Sequence, residues 1–394
     1  MNSINIAKKE DCCGCSACVN VCPKQCIEMR ADFEGFAYPT VNNDLCINCG
    51  LCKKACPITN SPLKMINEKP LAFVAQNLDE SKRIESSSGG MFSLIAEYVI
   101  NKGGVVFGAA FDVNWQVRHI SVDDVDSLYK LRGSKYVQSD IGNSYKDAKN
   151  LLEKGIWVCY SGTPCQIAGL RNFLRKDYET LVLVDVICHG VPSPKVWNKY
   201  IDFHTNEYGP IEAIFFRNKK FGFAGSTMAI FYKSGKRTYL GQELQFHKET
   251  FFRDLSTRPS CYECRFKNQS HVSDISLFDC WHVNEFNSSK DDDLGTSAVL
   301  VHSEKGKRII KELENKMWCE TVDFDKLVSL DGKMVLQSIK KNEKREEFFK
   351  DLDVKNVPEM IAKWTPLTLK KRIVQLIKPT IHRLGILNKL KRLV

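Results

Sequence analysis

Two cysteine runs near the N-terminus constrain this chain more than any other part of its 394 residues. CCGCSACVNVCP sets Cys12, Cys15, Cys18 and Cys22 ahead of Pro23, and CINCGLCKKACP sets Cys46, Cys49, Cys52 and Cys56 ahead of Pro57. Each run has the spacing C-x2-C-x2-C-x3-C-P, which holds 4Fe-4S clusters. Closely spaced thiolates let one tight loop wrap three corners of an iron–sulfur cube. The fourth cysteine, on the following helical turn, points away, and the proline fixes the exit. The two runs should therefore exchange partners: Cys12, Cys15, Cys18 and Cys56 at one cluster, Cys46, Cys49, Cys52 and Cys22 at the other. Structural zinc takes four ligands in two pairs and has no use for a doubled run of four. Electrons are expected to enter the protein here.

The doubled run resembles the two-cluster ferredoxin domain of bacteria, and residues 1–62 are assigned to it. IEMRADFEGFAYPTVNNDLC between the halves reads as a hairpin-like connection within a repeat. Cys13 and Cys26 fall outside the ligand register and are assigned to packing. NSPLKMINEKP, with two prolines and little periodicity, reads as a linker.

Beyond residue 70 strands and helices alternate. LAFVAQN and GVVFGAAF read as strands, and 91–100 as a helix stopped by Gly103-Gly104. A helix over about 143–154, the strand IWVCYSG, a helix opening at Thr163-Pro164 and the strand TLVLVDVIC follow. This alternation predicts parallel pairing with helical crossovers. Past residue 209 strand-like stretches dominate, then a helix over about 304–318, with Cys319 at its end. The expected class is α/β and α+β: a ferredoxin-like domain, then a mixed α/β body in two parts, 70–155 and 156–320, and a helical extension, 321–394.

Strands 156–160 and 180–187, if parallel, end on one sheet edge, where open α/β sheets bind ligands. Cys165 and Cys188 follow them on neighbouring loops, and PSCYECRF adds Cys261 and Cys264. Four soft ligands suffice for a third cluster; a zinc site or unligated packing cysteines are the alternatives, and spacing alone does not choose. His189, beside Cys188, is a candidate proton donor or a local hydrogen-bond partner. SSSGG, with Ser87, Ser88, Gly89 and Gly90 before a helix, is either an anion-binding turn or an ordinary cap. There is no G-x-G-x-x-G after a strand and no P-loop lysine motif.

The chain carries a net charge of +10, but nine basic residues and no acidic ones follow Glu359, so the rest is close to neutral. That distribution excludes a nucleic-acid footprint over the body. In the tail, Leu369, Ile373, Leu376 and Ile377 share a helical face, and after Pro379 the residues Ile381, Leu384, Leu387 and Leu390 continue it. A basic amphipathic helix pair over 363–394 can lie on an anionic membrane surface or pack on the body or a partner subunit. No apolar run reaches the length of a membrane span, the N-terminus lacks a signal-peptide core, and a cysteine-rich cluster protein suits a reducing compartment. A cytoplasmic protein is expected, with a peripheral contact at the inner membrane face through the tail.

SSSGGMF, GGVVFGAAFD, RGSKYVQS, YSGTPCQIAGL, LVDVICHGVPSP, FFRNKKFG and PSCYECRFKNQSHVSDISLFDCW occur in order between 86 and 281. Together they resemble the beta-subunit family of coenzyme F420-reducing hydrogenases and F420-linked dehydrogenases, in the bacterial form with a fused two-cluster ferredoxin domain. The resemblance implies FAD beside a 4Fe-4S cluster held by Cys165, Cys188, Cys261 and Cys264. It also implies that the SSSGG turn and the RGSKYVQS segment, with Ser134 and Lys135, line the flavin site. Lys135 is the candidate positive charge for reduced flavin. Where relatives often read G-D-x-W, Phe278 stands before Asp279 here, and coenzyme F420 itself is not implied. The function this suggests is an iron–sulfur flavoprotein oxidoreductase exchanging electrons between a ferredoxin-like protein and a small-molecule acceptor, in either direction. The alternative is a non-catalytic electron-transfer subunit of a larger redox or polysaccharide-modifying complex.

Overall fold

The computed structural model describes residues 6–61 and 69–384. In the cysteine-rich segment, β1 (Ile27–Ala31) and β2 (Ala37–Val41) form the antiparallel hairpin that joins the two runs. A short helix follows the third cysteine loop of each half, Ala17–Val21 and Leu51–Ala55. Both halves place left-handed residues at matching positions, Gly14 and Ser16 in the first, Asn48 and Gly50 in the second. That backbone curls successive N–H groups inward, the concave form that suits a sulfide cluster.

The body is built on one eight-stranded sheet. Its strands are β3 (Leu71–Asn77), β4 (Val105–Phe111), β5 (Val117–Val122), β6 (Val158–Gly162), β7 (Leu181–Val186), β11 (Ile275–Asp279), β12 (Ser297–Val301) and β13 (Met317–Val322), in the order β13-β3-β12-β11-β7-β6-β4-β5. Between them in the chain, β8 (Ile211–Asn218), β9 (Thr227–Tyr232) and β10 (Arg237–Thr238) form a separate antiparallel sheet. In the large sheet β4, β6, β7 and β11 run parallel. The run Leu181 to Asp185 is buried on both faces, as a central parallel strand must be.

Two expectations change. LAFVAQN was expected to pair parallel, but β3 lies antiparallel to β12 and β13. Its partners arrive from more than two hundred residues later, so no crossover helix dictates their direction. The helix over 304–318 is shorter: it spans Glu304–Glu312, and MWCETV forms β13, which places Cys319 on a strand opposite Ala75. The tail helix, Leu369–Arg383, runs through Pro379, forfeiting the one hydrogen bond that proline cannot donate. Leu387 and Leu390 lie outside the described residues. Among the described residues no helix is long and apolar enough to cross a membrane.

The two parts of the molecule are locked together through the hairpin. Phe36 is fully buried in the core that includes Val196, Trp197 and Phe348. The Glu34 carboxylate forms a two-pronged ion pair with Arg345, and both side chains are buried. Such a pair serves geometry more than stability, because desolvation offsets much of its attraction.

Candidate functional site

The cysteines line three separate cavities. Cys12, Cys15, Cys18 and Cys56 share one of about 20 Å³, and Cys22, Cys46, Cys49 and Cys52 share another of about 20 Å³. The exchange of Cys22 and Cys56 follows from the short helices, which carry each fourth cysteine toward the other half. Cys49 is exposed, whereas Cys15, Cys18, Cys52 and Cys56 are buried. The second cavity is thus the outer one.

The third cavity, about 330 Å³, is lined by Cys165, Cys188, Cys261 and Cys264. Cys165 opens the helix Pro164–Leu174, where Thr163 and Gln166 close a capping box and Pro164 fits the first turn. Cys188 follows β7, the parallel neighbour of β6. A backbone bridge between Pro192 and Thr257 then draws the Cys188 loop to the segment holding Cys261. Gly190 adopts φ +103°, and a Cβ there would meet Cys261 Cβ at 3.2 Å. Burial pushes the Cys18 and Cys261 thiols up and the Cys264 thiol to about 12. Thiols so placed keep their protons unless a metal replaces them. Among the described residues no three His, Cys, Asp or Glu side chains converge as one metal ion requires.

Cys13, assigned from sequence to packing, lines both the first and the third cavities. Its thiol lies within hydrogen-bonding reach of the Cys15 and Cys165 thiols. The helix that carries Cys165 can come this close because residue 169 is glycine: a Cβ there would stand 3.0 Å from Cys15 Sγ. Cys26, the other cysteine outside the ligand register, touches Cys22 Sγ at 3.4 Å on the wall of the second cavity.

Arg258 also went unnoticed in the sequence. Fully buried, it donates to Cys12 O (2.7 Å), Gln138 Oε1 (2.9 Å) and Ala37 O (3.0 Å), and its Nη2 reaches Cys12 Sγ at 3.8 Å. It lies over the Tyr38 ring at 4.4 Å. Among the described residues no carboxylate pairs with it. A buried guanidinium without a carboxylate partner is costly, and a thiolate-ligated cluster in the first cavity would supply the missing negative charge. The donor set and this charge fit 4Fe-4S clusters.

The other motifs meet along the same edge of the sheet, where Ser297, beside the SSSGG turn, pairs with Asp279, and RGSKYVQS reaches the Cys13 loop through Gln138. Ser134 N–H donates to Ser87 Oγ at 2.7 Å, joining RGSKYVQS to the SSSGG turn. Lys219 of FFRNKKFG donates to Ser88 O at 2.7 Å, and Arg217 of the same motif pairs with Asp279 at 2.6 Å. The SSSGG turn is partly spent on the sheet: Gly89 N–H donates to Ser297 Oγ and Ser88 Oγ to Thr296 O. Gly90 caps the helix Met91–Ile100 with φ +82°. Burial lowers Lys135 and Lys219 to about 7 and Lys248 to about 8. The Lys135 ammonium closes its own loop on the carbonyls of Leu131, Arg132 and Gly133. Arg217 Nη2 is buried without a hydrogen-bond partner. Lys219 and Lys248, gathered near an orphaned guanidinium nitrogen, suit an anion such as a pyrophosphate. His189 is exposed, its ring edge-on to Phe252 at 6.0 Å. Arg217, Lys219 and Lys248 were not singled out from sequence; the only signal was the basic run inside FFRNKKFG.

Fold and cavities define a cysteine-walled α/β body joined to a dicluster domain. Residues 11–60 match the model of the 4Fe-4S dicluster domain. Residues 156–326 match that of the C-terminal part of the coenzyme F420 hydrogenase/dehydrogenase beta subunit. The matched regions thus join a C-terminal domain of the coenzyme F420 hydrogenase/dehydrogenase beta-subunit type to a 4Fe-4S dicluster domain on its N-terminal side. It is 24% identical over 190 residues to a subunit of the F(420)H(2) dehydrogenase of Methanosarcina mazei, covering 45% of this chain and 53% of that protein. It is also 24% identical over 347 residues to the coenzyme F420-dependent sulfite reductase of Methanocaldococcus jannaschii, covering 86% of this chain and 51% of that protein. The chain thus spans about half the length of these curated relatives. A chain of the F420-reducing NiFe hydrogenase complex from Methanosarcina barkeri aligns with a TM-score of 0.46 and 17% identity, over 69% of this chain and 92% of that one.

Proposed function

We propose that this chain is an iron–sulfur flavoprotein oxidoreductase that moves electrons between a ferredoxin-type protein and a small-molecule acceptor. The observation that carries the reading is the row of three cysteine-lined cavities, with Cys13 on the wall common to the first and third. The cysteine sets named above would hold three 4Fe-4S clusters. The SSSGG turn, Ser134, Lys135, Arg217 and Lys219 would hold FAD. Bound there, a flavin supplies the change from single electrons to hydride transfer.

The chain's own residues order this traffic. Leu45 and Ile47, both exposed beside Cys46, offer a partner an apolar rim at the outer cavity. Arg258 holds the Cys12 loop and brings a positive charge to the inner one. Lys135, with its pKa near 7, can carry or release a proton at the flavin side. His189 is held below the ordinary histidine range by partial desolvation and by the charges of Lys267 and Arg217. It is therefore neutral at pH 7 and able to accept a proton there. Either direction of electron flow uses the same arrangement.

The test is purification without oxygen, followed by iron, sulfide and flavin analysis and reduction by ferredoxin. About twelve irons and one flavin per chain are expected. Eight irons and no flavin would remove the enzyme reading. A full set of cofactors with no turnover of any acceptor would leave an electron-transfer subunit instead.

A further inference from the structure

The tail helix Leu369–Arg383 is docked with its apolar side outward. Three basic side chains hold it to the body. Lys371 pairs with Glu249 at 2.5 Å, and Lys378 and His382 both sit against the Phe221 ring, at 5.3 and 6.0 Å. The opposite face presents Leu369, Ile373, Leu376, Ile377 and Leu384, from 42% exposed at Ile377 to 74% at Leu369. An amphipathic helix normally packs the other way. A contiguous apolar stripe of this kind marks a surface that something else covers.

We propose that this face lies on an anionic membrane surface. The argument is charge. The stripe is flanked by the exposed Arg372 and Arg383. No acidic residue follows Glu359, whereas Lys389, Lys391 and Arg392 continue the basic sequence. A second copy of the chain would set the same cations against themselves across a two-fold axis, which like-charge repulsion opposes. Anionic headgroups complement Arg372 and Arg383. Long basic side chains beside an apolar stripe can also reach up to headgroups while their stems stay in the acyl boundary. The polar contacts to Glu249 and Phe221 then set the helix on the body in a fixed orientation, so the membrane meets one defined face of the protein.

The test is flotation of the full-length, cofactor-loaded protein with phosphatidylcholine vesicles, with and without phosphatidylglycerol. Binding only to the anionic vesicles, weakened by salt, is expected. Arg372→Gln and Arg383→Gln should each weaken it roughly fivefold. Ile373→Ser with Leu376→Ser should abolish it while leaving iron content and circular dichroism unchanged, since both side chains are exposed. Equal flotation of the serine variant, no flotation of the parent, or an Ile373- and Leu376-dependent dimer in sedimentation would each overturn the proposal. None of these results bears on the cluster and flavin analysis above.

Discussion

Replacing Arg258 by methionine removes a positive charge from the first cavity while keeping much of the side chain's bulk. Arg258 Nη2 stands 3.8 Å from Cys12 Sγ. Two unit charges about 4 Å apart interact by roughly 4 kcal/mol at an effective dielectric of about 20. An added electron spreads over the whole cluster, so about half of that, roughly 2 kcal/mol, is the working figure. For a one-electron couple, at about 59 mV per tenfold and 1.4 kcal/mol per tenfold, this is about 80 mV. A nearby cation favours the more negative, reduced form, so Arg258→Met should lower the midpoint of the first cluster by about that amount. The second cavity has only the exposed Lys24 among its lining cations, and its midpoint should not move. The assay is a redox titration of the anaerobic protein followed by electron paramagnetic resonance. Arg258→Lys, which keeps the charge and loses the planar fork, should recover most of the midpoint if the variant folds. An unchanged first midpoint in Arg258→Met, or equal shifts at all clusters, would refute the reasoning.

Three further outcomes follow from the same geometry. Cys264→Ala should lose about four of about twelve irons and keep both dicluster signals, whereas Cys13→Ala should keep all of them; iron loss in Cys13→Ala would make it a ligand. Gly169→Ala drives a Cβ to 3.0 Å from Cys15 Sγ, an overpacking expected to cost about 1–3 kcal/mol, read as a lower melting temperature and a perturbed first-cluster spectrum. Burial lowers His119, His204 and His247 to about 4 from an ordinary 6.5. Between those values the unfolded chain binds more protons than the folded one, so stability should fall as pH drops from 6.5 toward 4, by up to about 3 kcal/mol per histidine. Thermal melts that stay level over that range would contradict this.

What could be read without coordinates was whatever short-range spacing encodes. The doubled cysteine run lies within 45 residues, and cube geometry requires such spacing, so both four-cysteine sets and the exchange of Cys22 and Cys56 are written in the letters. The capping box at Thr163 and the parallel strands after which Cys165 and Cys188 fall are equally local. The strand at Cys319 was missed because a short amphipathic stretch fits both periods, and pairing with β3 decides between them.

Tertiary structure decided the rest. Cys165 and Cys264 are about a hundred residues apart, and only the crossing of chain segments at one sheet edge brings them to a common cavity. The same crossing sets Cys13 between two cavities and Arg258 against Cys12 Sγ. In the tail, composition gives a basic amphipathic helix, but which side faces the body depends on Glu249 and Phe221, far away in sequence. Ligand spacing within a loop is fixed by covalent geometry over a few bonds. Charge placement and facing are fixed by packing, which a linear pattern does not contain.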